Sequence, residues 1–367
     1  MQDILYILYR LLRTAIGTQS AELSPEDEIR FHALGLEQWH ELIQLAIEQN
    51  VAAVSLDGFE QICSANPYLQ LIIQDNDDDT SILKWNSYRA LTECQYKNNV
   101  KAIQQLTGLY SKHGINMLVF KGYSMSLEYP VPSHRLCGDI DCFLYSIVND
   151  GSKETIVQKT LEGDRLVEDF FNIKVEKGSK HNIFKVRNID VENHSIFLFT
   201  KRIPEIKHAE NLLHPMASNG IPDKQAGCFI PSVEFSSILL PLHFAKHYVF
   251  RGSNIKQLLD WAVFVNRHKD EINWELLLST ADEIGCRNFI ESINLCIADE
   301  LGVDRSGLPT GNATPADLER INNELVCKLP ALGSSFLHKL KKYRIWLRRY
   351  HTVYKGSLLR YFLLNYK

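Results

Sequence analysis

Two carboxylates open an otherwise apolar run, Asp139-Ile140-Asp141-Cys142-Phe143-Leu144-Tyr145. In a strand, alternate side chains share a face, so Asp139 and Asp141 stand together with Phe143 and Tyr145. Two unpaired carboxylates side by side repel, and one stays protonated unless a cation lies between them. Oxygen donors of this kind suit Mg2+ or Mn2+, which complete their shells with water and substrate phosphates. A second strand-like stretch, Ile189-Asp190-Val191-Glu192-Asn193-His194, puts Asp190, Glu192 and His194 on one face. It offers a third carboxylate, Asp190 or Glu192, and completes a credible two-metal set in which one ion positions a triphosphate and the other activates an attacking hydroxyl.

Positive and neutral donors lie nearby in sequence. Lys121-Gly122 follows the apolar run Met117 to Phe120. A glycine there lets backbone approach a ligand, and amides at the start of the next helix suit phosphate oxygens. Arg135 adds charge just before the aspartates, and Lys180-His181 are placed to meet phosphates or an acceptor. His243 and His247 are four apart on a helical pattern, a zinc-compatible spacing with no third ligand at a recognisable distance. Packing near Pro241, or a helical surface facing a cleft, is the expectation for that pair. Asp260 is assigned no chemistry. The acidic run Asp75 to Asp79 fails as an EF-hand, because Thr80 and Asn86 stand where glycine and glutamate are required.

The elements that must position these groups follow from periodicity. Residues 1 to about 105 read as helical, ending in a long helix over Ile82 to Lys112 with Gly114 just beyond it. From Ile115 the period becomes strand-like: strands at 115–120 and 139–145, a short helix at 124–129 stopped by Pro130 and Pro132, a helix near 150–161, and strands at 182–186 and 189–194 around Arg187-Asn188. Residues 201–231 carry Pro204, Pro215, Pro222 and Pro231 and read as a polar linker or lid. The remainder reads as helical. The expected architecture is α+β in three parts: 1–105 helical, 106–200 an α/β core, and 201–367 a linker or lid with a C-terminal helical region and basic tail.

The chain has 367 residues, 45% hydrophobic and 23% charged, and a formal net charge of −4, which argues against a surface that is basic throughout and built to trap nucleic acid. Its charge is uneven: no acidic residue follows Pro330, while nine lysines and arginines do, interleaved with Tyr343, Trp346, Tyr350 and Tyr354. Such a tail either closes on the acidic body or stacks on RNA. Eight scattered cysteines without a CxxC pair read as reduced thiols of a cytoplasmic protein. The N-terminal helix carries Asp3, Arg10 and Arg13 and fits neither a signal peptide nor a membrane span, so no membrane insertion is expected.

The string K-G-Y-S-M-S-L followed by H-R-L-C-G-D-I-D-C-F-L resembles the signature of the uncharacterised nucleotidyltransferase family NTP_transf_5, within the DNA polymerase beta-like nucleotidyltransferase superfamily. The resemblance extends to K-H-N-I-F at Lys180 to Phe184, V-E-N-H at Val191 to His194, H-F-A-K-H at His243 to His247 and L-L-D-W at Leu258 to Trp261. It implies a small mixed-sheet nucleotidyltransferase core flanked by N- and C-terminal helical regions. Asp139, Asp141 and Glu192 would be the metal-binding catalytic carboxylates, Glu192 preferred over Asp190 for its E-x-H context. Gly122 would lie by the triphosphate, with Lys121 or Ser124 replacing the serine usual in the superfamily. The implied reaction transfers a nucleoside monophosphate from an NTP to an unidentified hydroxyl on a small molecule, RNA or protein, with Mg2+ or Mn2+ and release of pyrophosphate. The alternative is a degenerate nucleotide- or RNA-binding protein that retains the fold.

Overall fold

The computed structural model describes residues 2–69, 80–146, 153–198, 206–250, 252–327 and 336–354. The acidic run at 75–79 and the end of the basic tail, 355–367, lie outside the described residues. Five helices come first: α1 (Gln2–Ala15), α2 (Pro25–His32), α3 (Leu36–Glu48), α4 (Ala52–Ala65) and the long α5 (Thr80–Ser111). Local chemistry explains their ends. Ser24 and Asp27 form a reciprocal capping box on α2 with Pro25 in the first turn. Beyond α5, Gly114 adopts φ +69°, a left-handed conformation suited to glycine. Ile7, Leu8, Leu11 and Leu12 of α1 are wholly buried and form its core stripe.

The centre is a six-stranded mixed sheet of order β3-β4-β2-β1-β6-β5. β1 is Ile115–Val119, followed by the short α6 (Gly122–Ser126) and a 3₁₀ turn at Pro132–His134; β2 is Asp139–Ser146, α7 Lys153–Phe171, β3 His181–Val186 and β4 Ile189–His194. β1 and β2 pair antiparallel, whereas β2 and β4 pair parallel with Asp139 opposite Asp190 and Asp141 opposite Glu192. The turn joining β3 to β4 is made by Arg187 and Asn188, both at positive φ (54° and 63°), the conformation of a two-residue hairpin.

Period-two alternation divides the sheet between two cores. Ile140, Cys142 and Leu144 face Ala102, Ile103, Leu106 and Tyr110 of α5 and Val167 of α7. On the other face, Phe120, Phe143 and Tyr145 join Phe197 and Phe235 in an aromatic cluster, with ring centroids of Phe143 and Phe197 5.0 Å apart. Asp139 and Asp141 therefore stand on the face that looks toward the C-terminal helices, at the strand end where aromatic packing stops.

Residues 201–231 depart from the expected irregular linker. They include α8 (Ile206–Ala217) and two short strands, β5 (Ile221–Pro222) and β6 (Phe229–Ile230), which extend the sheet beside β1. Ile206, Ala209, Leu213 and Ala217 give α8 a buried face at helical spacing. Pro215 lies near the C-terminal end of this helix, and Pro222 on the outermost strand, where a missing amide hydrogen costs little. Reading these prolines as punctuation hid the elements around them.

α9 (Val233–Phe250), α10 (Ile255–His268), α11 (Trp274–Ile284), α12 (Arg287–Leu301), α13 (Pro315–Val326) and α14 (Phe336–Val353) complete the chain. The basic aromatic segment lies on the body where it is described: Tyr350, Val353 and Tyr354 are buried, and Arg349 Nε donates to Glu324 Oε2 at 2.8 Å while Arg348 pairs with the same carboxylate. No helix among the described residues is long and apolar enough to cross a membrane.

The loop that leads into β2 is clasped to the N-terminal helices. His134 Nδ1 lies 2.8 Å from both carboxylate oxygens of Asp57 on α4, and its Nε2 lies 3.0 Å from Glu93 on α5. Burial opposes protonation here, but the two carboxylates outweigh it and raise the pKa. A raised histidine pKa stabilises the fold below the unfolded value of about 6.5 and loses that contribution as pH climbs through the folded value. His134→Ala is thus expected to cost about 1.5–3 kcal/mol in mildly acidic buffer and distinctly less at alkaline pH. Urea unfolding of the two proteins across that range checks it; a pH-independent difference would contradict the clasp.

Candidate active site

Asp139, Asp141 and Glu192 open onto one cavity of about 480 Å³, bounded by the β1–α6 loop, the start of β2, the β3–β4 hairpin, α9 and the first turns of α10. The strands set the carboxylates' spacing: Asp139 and Asp141 alternate on β2, and parallel register sets Glu192 beside Asp141. Asp190, opposite Asp139, is exposed and pairs with Lys185 at 3.1 Å. It lines an adjoining recess rather than this cavity. Of the two β4 acids, Glu192 lines the main cavity and Asp190 does not.

The three acids are unequal. Burial pushes the Asp139 carboxyl up, and Asp141 adds to the shift. Asp141 is more deeply buried, yet Lys121 Nζ at 2.6 Å and His194 Nε2 at 2.7 Å overcome that burial and hold it well below the usual carboxylate range. Glu192 is likewise lowered against its burial, its Oε2 accepting from His194 Nε2 at 3.1 Å. This is a site whose own cations already partly neutralise its anions. The donors suit a hard divalent cation: a strained carboxyl pair with a third carboxylate in register. Among the described residues the tightest group of possible ligands is His181, Glu192 and His194, whose donor atoms all lie within 4.8 Å of one another.

The β1–α6 junction is unusual backbone. Lys121 adopts φ 61°, ψ −125°, a region that L-residues rarely occupy, and its side chain turns back onto Asp141. Gly122 follows because there is no room for more: a Cβ would lie 2.6 Å from Cys137 Sγ and 3.2 Å from the Asp139 carbonyl oxygen. Gly122→Ala is expected to push the loop away from β2, costing about 1–3 kcal/mol and weakening ligand binding, and Gly122→Ala/Cys137→Ala is expected to recover much of it. Melting curves of the three proteins test this. Ser124 donates its hydroxyl to the Lys121 carbonyl at 2.9 Å and does not line the cavity.

Arg135 lines the cavity but is held from the far side. Its Nε and Nη2 donate to both oxygens of Asp260 at 3.0 and 2.7 Å, and its Nη1 donates to the Gly122 carbonyl at 2.9 Å. Tyr129 OH completes the set by donating to Asp260 Oδ1 at 2.8 Å. The guanidinium thus fixes the Lys121-Gly122 turn relative to α10, and Asp260 is its counterion. Sequence reasoning gave Asp260 no chemistry.

Cationic groups cover the opposite wall. Lys180 lines it, its pKa lowered by burial and by Lys121 and Lys246 to about 7. His181 is brought down by burial to about 4. Lys246 and Lys256, which sequence reasoning passed over, also line the cavity, and burial lowers Lys256 before Arg135 adds to the effect. Their signal was weak: Lys256 and Asp260 are four apart on an amphipathic helix, one shared flank of a buried stripe. His243 and His247 face the same space with their Nε2 atoms 3.1 Å apart, and burial together with Lys121 keeps His243 well below its usual pKa. His194 is wholly buried behind Asp141 and outside the cavity lining. Four lysines thus line one cavity, a concentration of positive charge suited to a polyanion.

Comparison with curated proteins and with solved structures gives no match. Comparison with protein families gives one over residues 36–302, described as "Uncharacterised nucleotidyltransferase". That span holds the sheet, the carboxylates and the lysine wall, and the chain belongs to the NTP_transf_5 family of the DNA polymerase beta-like superfamily.

Proposed function

We propose that the protein transfers a nucleoside monophosphate from a nucleoside triphosphate to a hydroxyl acceptor, releasing pyrophosphate. The observation that carries this reading is the polarity of one cavity: carboxylates from two parallel strands at one wall, and Lys121, Lys180, Lys246 and Lys256 around the rest. Bound Mg2+ or Mn2+, held by Asp139, Asp141 and Glu192, would neutralise charge on the α-phosphate and ease ionisation of the acceptor hydroxyl. The chain's own part is positioning. Lys180 and Lys246 bind the β- and γ-phosphates, and Lys121, released from Asp141 when the carboxylates take a cation, joins them. Glu192 faces the acceptor proton, and Arg135 with Asp260 keeps the Gly122 backbone against the phosphates.

Water serves as a default acceptor in the test. Slow turnover of an NTP labelled at the α-phosphorus, giving labelled NMP with unlabelled pyrophosphate, supports the reading; NDP with orthophosphate contradicts it. One observation favours a second reading, a nucleotide-binding protein without turnover: Asp141 is already paired with Lys121 and His194. That reading expects tight NTP binding and no pyrophosphate.

A further inference from the structure

Three donor atoms beside the cavity converge, His181 Nδ1, Glu192 Oε2 and His194 Nε2, all within 4.8 Å of one another. His194 Nδ1 lies 3.1 Å from the Ile196 carbonyl oxygen, which only accepts, so this nitrogen carries hydrogen. The other nitrogen, Nε2, donates toward Asp141 Oδ1 at 2.7 Å and Glu192 Oε2 at 3.1 Å, so its hydrogen sits where a cation would lie. From the other side, His181 Nδ1 is buried and makes no hydrogen bond, yet it lies 3.2 Å from the same Glu192 oxygen. A backbone carbonyl that fixes the tautomer of a buried imidazole is the support a metal-ligating histidine ordinarily has.

The separations also have the right size. With metal–ligand bonds of about 2.1 Å, neighbouring ligand atoms are about 3.0 Å apart in an octahedron and about 3.4 Å in a tetrahedron. The two separations about Glu192 Oε2, 3.1 and 3.2 Å, fall between those edge lengths. Two imidazoles and a carboxylate are a donor set for a first-row transition ion, because magnesium prefers oxygen and water.

We propose that His181, Glu192 and His194 form a transition-metal site adjoining the Asp139/Asp141 pair, selective for ions such as Co2+, Zn2+ or Mn2+ over Mg2+. The proposal rests on the metal-dependent reading of the cavity, but it assigns one ion a nitrogen-containing shell.

Co2+ titration of the full-length, tag-free protein, followed by visible absorption, tests it. The expected result is one equivalent of bound Co2+ with ligand-field bands, displaced by Zn2+ but not by a hundredfold excess of Mg2+. His181→Ala, with His181→Gln as a second variant should the first not fold, is expected to weaken binding by at least about 10–100-fold. Asp139→Asn should keep the cobalt bands while losing Mg2+-dependent nucleotide binding, so failure here and failure of the nucleotidyl reading are separable. Bands unchanged by His181→Ala, bands lost only in His243→Ala/His247→Ala, or displacement by equimolar Mg2+ would each overturn the proposal.

Discussion

Asp139→Asn and Asp141→Asn, made separately, are each expected to lower nucleotidyl transfer by about 10³-fold or more, but with opposite effects on stability. Asp139 resists ionisation in the metal-free protein because burial and Asp141 both disfavour its charge. An acid whose pKa is raised by folding destabilises the native state at pH values above its unfolded pKa, so replacing it with a neutral amide removes that cost. Asp139→Asn should therefore be inactive and as stable as the parent, or more so. Asp141 is the reverse case, its pKa lowered by Lys121 and His194 after burial is overcome, so its contribution is present at neutral pH and lost as pH falls. Its removal leaves the Lys121 ammonium without the carboxylate 2.6 Å away, and a loss of about 3 kcal/mol or more is expected. Urea unfolding beside a pyrophosphate assay separates the two. Equal destabilisation by both substitutions would contradict the asymmetry.

Arg135→Ala and Asp260→Ala are expected to cost about 3–5 kcal/mol each, the largest stability losses at the cavity. Both groups are almost wholly buried, at 6% and 10% side-chain exposure, and joined by two hydrogen bonds. Either truncation leaves an isolated charge inside the protein, and the loss of Arg135 also frees the Gly122 carbonyl it restrains. Removing both at once, as Arg135→Met/Asp260→Leu, should cost less than either alanine substitution, since a buried pair replaced by apolar groups leaves no charge behind. A double-mutant cycle by chemical denaturation measures the coupling, and additive losses would show the pair to be energetically independent. Nucleotide affinity should fall in the singles even under conditions where they remain folded, because the Lys121-Gly122 turn loses its tie to α10.

Much of this architecture is written locally. Strict alternation along Asp139 to Tyr145 and along Ile189 to His194 identifies two half-polar strands. The same alternation puts Asp139 with Asp141 on one face of its strand, and Asp190, Glu192 and His194 on one face of theirs, because side-chain direction in a strand depends only on parity. What parity cannot give is register between strands, so the choice of Glu192 over Asp190 rested on resemblance; the parallel pairing of Asp141 with Glu192 and the exposure of Asp190 are tertiary facts. Groups brought in from far along the chain were least legible. Asp260 meets Arg135 across 125 residues, and Lys256 and Lys246 enter from helices whose apolar stripes reveal that they pack, but not on what. Arg135 read as a free cation because nothing near it in sequence announces a counterion. In 201–231, prolines near element ends masked a helix with a buried face.

The central claim is that one cavity takes a metal-bound nucleoside triphosphate on carboxylates from β2 and β4 opposite a lysine wall. Calorimetric titration of the four ribonucleoside triphosphates, with and without magnesium, into the native chain and Asp139→Asn/Asp141→Asn tests it most directly. The account predicts saturable, magnesium-dependent binding of at least one triphosphate to the native chain and its loss in the folded double variant. Binding of equal affinity in both proteins, or none to a folded native chain, would contradict it.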